Sequence, residues 1–135
     1  MTDANRRLNL TVETEKGEAS LRAADLCLQA RLYDDAVSRA YYGAFHFVQA
    51  LLLSEGLESK THAGAHDLFY LHFVRGGRIT RHVAKLFSGL QRYREQADYM
   101  RAFQFDEADA RDELGNARLI RDAVATVLRA AGWIS

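Results

Sequence analysis

No proline occurs in the chain, and its few glycines fall singly or in pairs rather than in a flexible tract. Proline ends helices, so its absence lets long helices run from one glycine-marked turn to the next. Cysteine occurs only at position 27, which excludes an intrachain disulfide and fits a reducing, cytoplasmic setting. Cys27 lies among Ala24, Leu26 and Leu28, where a thiol packs as a small apolar side chain. An excess of either charge is also missing, because 18 Lys and Arg balance 18 Asp and Glu. Global charge therefore gives no argument for nucleic acid. No apolar run approaches a membrane span, and Met-Thr-Asp-Ala-Asn-Arg-Arg at the start lacks the apolar stretch of a signal peptide. Glycine-rich phosphate loops are absent, which excludes the common nucleotide-binding folds. His62 and His66 have a spacing that can share a metal, but no third ligand groups with them, so neither metal nor cofactor is expected.

What remains is a chain of 135 residues, 48% hydrophobic and 27% charged, enough for one domain with a proper core. Residues 1–11 are polar and read as loosely held. A first helix is expected from about Val12 to Ala30, with Leu21, Ala24 and Leu28 on its apolar stripe. Asp34 reads as the N-cap of a second helix over 34–55, closed by Gly56. Ser59 or Thr61 opens a third helix over 62–75, ended by Gly76-Gly77. Ile79-Thr80 reads as staple and cap of a fourth, with Val83, Leu86, Phe87, Leu90, Tyr93, Ala97 and Met100 at spacings of three and four. Phe105-Asp106 opens the last helix, whose stripe is Leu114, Ala117, Ile120, Val124, Val127 and Ala131. The predicted fold is all-α: a single-domain, antiparallel up-and-down bundle of about five helices over 1–135.

The second helix carries the most information. Val37, Tyr41, Ala44, Phe45, Val48, Leu51 and Leu52 share one side at about 100° per residue. Arg39, Tyr42 and His46 share another stripe, preceded by Asp35 and accompanied by Gly43, Ala50 and Leu53. Guanidinium grips phosphate oxygens in a planar fork, and imidazole moves protons near neutral pH. Tyr42, between them, is placed to hydrogen-bond or to stack on a base. The small residues of this second face predict close approach of another helix, here taken as a dimer partner meeting at Gly43, His46, Ala50 or Leu53. From Leu68 to Arg94 there is no Asp or Glu, while Arg75, Arg78, Arg81, Lys85, Arg92 and Arg94 accumulate. Such a window attracts phosphate backbones unless the acidic start of the last helix balances it.

Ser38-Arg-Ala-Tyr-Tyr-Gly-Ala-Phe-His46, Lys60-Thr-His62, Phe73-Val-Arg-Gly-Gly77 and Arg94-Glu-Gln-Ala-Asp-Tyr99, in that order, resemble the prokaryotic HEPN domains over about residues 15–130. The resemblance implies a helical bundle that dimerises. It also implies a metal-independent, toxin-like endoribonuclease, often encoded beside a minimal nucleotidyltransferase antitoxin. The family's Arg and His, separated by four to six intervening residues, correspond to Arg39 and His46, with six between them. Arg39 would stabilise charge on the scissile phosphate, and His46 would transfer the proton of the attacking 2′-hydroxyl. With Tyr42 of the first block, the other blocks supply Lys60, His62 and Arg94 as candidate substrate contacts, with Asp98, Tyr99 and the stripe's Asp35 in support. The alternative implied by the same resemblance is a non-catalytic module that binds a nucleotidyltransferase partner or a nucleotide.

Overall fold

The computed structural model describes residues 2–99 and 104–135. Within them lie α1 (Asp3–Gln29), α2 (Tyr33–Ser54), α3 (His62–Phe69), a π-helical turn (Tyr70–Val74), α4 (Arg81–Tyr99) and α5 (Glu107–Ala130), with no strand among the described residues. Met100, expected on the stripe of α4, lies outside the described residues.

The long helices alternate in direction. Gly17 of α1 meets the Phe47 ring of α2 and Leu21 meets Gly43, so α1 and α2 are antiparallel. Arg78, just before α4, pairs with Glu55 just after α2, while Arg94 near the end of α4 lies over the ring of Tyr41. That sets α4 antiparallel to α2. The backbone N–H of Phe105 donates to Asp34 Oδ1 at 3.0 Å, and Val124 and Leu128 share a cleft wall with Phe47. Helix α5 therefore runs in the same direction as α2. Helix α2 is central and packs against α1, α3, α4 and α5. Its buried set includes Val37, Tyr41, Ala44, Val48, Leu51 and Leu52, the side expected to form the core.

Three local expectations are corrected. Residues 2–11 are not loose: α1 begins at Asp3, capped by Thr2 Oγ1 accepting from the Asn5 N–H at 3.1 Å, and Leu10 is fully buried. Arg7 donates to the Trp133 carbonyl at 2.9 Å and stacks on its indole, which ties the first turns to the carboxy-terminal end. Asp34 is not the N-cap of α2. It lies inside the first turn and receives the Phe105 N–H instead, while Arg31, at φ 64°, makes the left-handed step between α1 and α2. The small face of α2 does not await a second subunit. Gly43, Ala50 and Leu53 are buried within the chain, and a β-carbon on Gly43 would stand 2.6 Å from Leu21 Cδ2 and 3.3 Å from the Gly17 carbonyl oxygen. Small residues permit close helix approach, and α1 makes that approach.

Candidate functional site

Once α1 covers the small residues, a narrow polar stripe of α2 remains in contact with water: Asp35, Arg39, Tyr42, His46 and Gln49. Arg39 is exposed and makes no hydrogen bond or ion pair with the described residues. His46 follows two turns later, about 10 Å along the axis. Its Nδ1 lies 2.8 Å from Glu13 Oε2 of α1, and each side chain is about a quarter exposed, at 26% and 25%. An ionised carboxylate only accepts, so His46 Nδ1 donates to it, and in the neutral ring the lone pair is then on Nε2. Nε2 has no hydrogen-bond partner among the described residues. The Glu13 carboxylate thus holds and orients the His46 ring from behind, as a general base requires. Glu13 escaped the sequence reading because its contact spans 33 positions and nothing local announces it.

Beside this pair lies a cleft of about 570 Å³, lined by Glu13, Lys16, Gln49, Leu53, Glu58 and Lys60 among others. Lys60 thus reaches the same neighbourhood as Glu13, with Lys16 as a second cation across it. Thr61 caps α3 by accepting from the Gly64 N–H at 2.9 Å, which fixes where His62 enters.

A second cluster gathers around Tyr41. Its buried hydroxyl lies 2.8 Å from His62 Nδ1 and 3.5 Å from His66 Nε2. A hydroxyl has one proton and two lone pairs, so it serves both rings. His62 stacks on Phe45 at 4.3 Å between centroids, and His66 stacks on Phe87 at 4.0 Å. The Arg94 guanidinium lies 5.2 Å from the Tyr41 ring centre and 5.7 Å from that of Tyr42, within cation–π range. Asp98 holds it at 2.9 Å, and the Arg94 side chain is only 14% exposed. Burial pushes the Tyr41 phenol well above its usual range. Burial, then the charge of Arg94, pushes His62 below its usual value; burial, then His62, lowers His66 to about 4. Both imidazoles are therefore neutral at pH 7, and the phenol keeps its proton.

The sequence-derived set is thus divided. Tyr42, His62, Arg94 and Asp98 come together around Tyr41. Lys60 lines the cleft beside Glu13, and His46 reaches it only through its bond to Glu13. Phe45 connects the two groups, with the His46 ring 6.4 Å and the His62 ring 4.3 Å from its centre. Asp35 lines a separate cleft with Arg31, Leu32 and Phe105, and Tyr99 is 79% exposed, so neither joins the group. The sequence pattern places Tyr41 on the core face alone and gives His66 only a weak metal possibility. The i, i+4 spacing of His62 and His66 was the available signal, and it marks two rings sharing one hydroxyl.

The sequence model of the HEPN domain matches residues 13–127. The chain belongs to the HEPN domain family. Among its relatives, a protein of Methanocaldococcus jannaschii named "Putative toxin MJ0605" is 41% identical over 85 residues, which cover 63% of each chain. That match spans a little under two thirds of the relative's own length. A Thermotoga maritima protein named "UPF0332 protein" is 30% identical over 105 residues, covering 78% of this chain and 80% of the relative. Among solved structures, TT1696 from Thermus thermophilus superposes with a TM-score of 0.75 at 19% identity, over 87% of this chain and 96% of that one. At that identity the superposition shows the HEPN-type helical fold alone. No helix among the described residues is long and apolar enough to cross a membrane.

Proposed function

We propose that this HEPN protein is a toxin-like endoribonuclease that cuts RNA without a metal, using Arg39 and His46. The observation that carries the reading is the state of His46: Glu13 holds Nδ1 at 2.8 Å and leaves Nε2 unengaged, on the same helical stripe as an exposed Arg39. In this reaction His46 Nε2 takes the proton of the 2′-hydroxyl as that oxygen attacks the adjacent phosphorus. The bond to the 5′-oxygen breaks, and that oxygen leaves with a proton from water. The products are a 2′,3′-cyclic phosphate and a 5′-hydroxyl. Arg39 neutralises charge that grows on the non-bridging oxygens, the place where fixed positive charge lowers the barrier most. The relative named as a toxin supports the biological setting, in which a minimal nucleotidyltransferase serves as antitoxin.

In this reading the protein acts as a homodimer, with RNA as substrate and the exposed polar stripe of α2 near the two-fold axis. Gly43, Ala50 and Leu53 are not part of that interface. The test is product chemistry. Purified protein should cut an oligoribonucleotide in the presence of chelator, leave cyclic phosphate ends, and spare the all-DNA strand. DNA cleavage, or ends other than cyclic phosphate and its hydrolysis product, would overturn the mechanism.

The second reading is a non-catalytic HEPN module that binds a nucleotidyltransferase or a nucleotide. The Asp98–Arg94 pair, closed over two tyrosine rings, favours it because that cation is already engaged. Chelator-resistant cleavage that is lost in His46→Ala would decide against it.

A further inference from the structure

The basic window is not balanced by the acidic start of α5. Most of those acids are engaged with their own helix: Asp106 and Asp109 form a reciprocal capping box, Glu107 pairs with Arg111, and Glu113 is buried beside Asn116. Within the window, Arg78 is held by Glu55 and Arg94 by Asp98. Arg81, Lys85 and Arg92 remain exposed and unpaired among the described residues. They fall at i, i+4 and i+11 of α4, within about 40° of one another around the axis and roughly 16 Å from end to end. The wall opposite them is made by the π-helical turn. There the Arg75 N–H donates to the Tyr70 carbonyl, five residues back, at 2.9 Å. The wider turn brings Phe73 and Val74 both inside and leaves Tyr70 and Leu71 outside, at 47% and 50% exposure. Single π turns of this kind recur at functional sites. Between the two walls lies a groove of about 500 Å³ in which Tyr70 faces Arg81, Lys85, Ser88 and Arg92, and no acid lines it.

We infer that the groove between Tyr70 and the Arg81–Lys85–Arg92 stripe is an exosite for single-stranded RNA, gripping phosphates along α4 while Tyr70 stacks on a base. The inference rests on RNA being the substrate, and it adds a binding surface separate from the Arg39–His46 stripe. Arg94, which reaches the Tyr41 cluster, comes two positions after Arg92 and so about 200° around α4. The groove and the Tyr41 cluster thus lie on different sides of that helix. Occupancy of the groove raises affinity for long strands and leaves the bond-breaking step alone. Aromatic stacking is indifferent to base identity, and cations in a row follow a backbone without reading sequence. Single strands are favoured because Tyr70 needs an unpaired base face.

The test is fluorescence anisotropy with a labelled uridine dodecamer on the His46→Ala protein, over a salt series. Three phosphate contacts give a slope of log affinity against log salt of about −2. Arg81→Gln with Lys85→Gln should flatten that slope by about 1.4. Tyr70→Ala should weaken binding roughly tenfold with little change in slope. Circular dichroism should show unchanged helix in each variant, which exposed positions permit. Cleavage of a dinucleotide, too short to span both surfaces, should be the same in groove variants as in wild type. Unchanged affinity and slope in both groove variants would overturn the exosite, even if the wild type cuts RNA. Loss of binding in those variants, with a wild type that cuts nothing, would keep the exosite and remove the catalytic reading. A wild type that binds no single-stranded RNA overturns the inference and leaves an acidic protein as the occupant to seek.

Discussion

Glu113 gives the sharpest stability prediction. It sits on the buried side of α5 at 7% exposure, and its Oε2 has no hydrogen-bond partner. Asn116 donates to the other oxygen at 3.5 Å. Burial pushes the carboxyl from 4.5 up to about 7, with Asp112 and Asp109 adding to the rise and Asn116 opposing it. The unfolded chain releases this proton near pH 4.5 and the folded chain near 7, so between those values the folded state binds more protons. Stability therefore falls as pH rises through that window and is level above it. At about 1.4 kcal/mol per pH unit, the ceiling on the loss is about 3.5 kcal/mol. Glu113→Gln keeps the shape and the acceptor for Asn116 but cannot ionise. Urea denaturation of both proteins at about pH 4.5 and about pH 8 measures the effect. The advantage of the variant over wild type should be about 1–3 kcal/mol larger at the higher pH than at the lower. The same difference at both pH values would refute the reasoning, because other titrating groups cancel in the comparison.

His66 acts in the opposite direction. Its proton is bound near 6.5 when unfolded and near 4 when folded, so its contribution is present above pH 6.5 and lost as pH falls toward 4; His66→Phe should flatten that limb in an acid denaturation series. Gly43→Val should cost about 1–3 kcal/mol by overpacking against Leu21 and the Gly17 carbonyl. The loss should not vary with protein concentration, as it would if Gly43 lay between subunits. Tyr41→Phe keeps the ring and removes the hydroxyl that serves His62 and His66; chemical denaturation should show a loss of about 1–2 kcal/mol. Glu13→Gln should lower RNA cleavage at least tenfold with substrate affinity nearly unchanged, because it alters the orientation and electrostatics of the general base and not the binding surface; single-turnover kinetics separates the two.

The helices were legible in the sequence where local chemistry alone decides them. Thr61 and Asp106 cap as their residue types demand, and the stripe from Val37 to Leu52 alternates with the period of a helix. The beginning of α1 was not legible, because its first turns expose nearly every side chain and are held by Leu10 and by the grip of Arg7 on Trp133. The partner of the small face was ambiguous for a general reason. Gly43 and Ala50 announce that something comes close, but a periodic pattern does not say whether it is another part of the same chain. At the site, Arg39 and His46 stand out by residue type and spacing, and their family supplied the rest. Glu13, which orients His46, and Tyr41, which joins His62 to His66, depend on contacts across 33 and 21 positions. No local spacing encodes those contacts.

The central claim is that Arg39 and His46 cut RNA. The most direct measurement is single-turnover cleavage of a labelled oligoribonucleotide in chelator by wild type, Arg39→Ala and His46→Ala, with dichroism confirming that each is folded. Arg39 is exposed, and His46 lies at the edge of the core, bonded to Glu13 and beside Phe45, so neither truncation removes a fully buried core side chain. The wild type should cleave, and His46→Ala should be slower by about two to four orders of magnitude, the usual worth of general acid–base help. Arg39→Ala should be impaired to a similar degree. Wild-type protein that leaves the RNA intact, or a His46→Ala protein that cuts as fast as wild type, would contradict it.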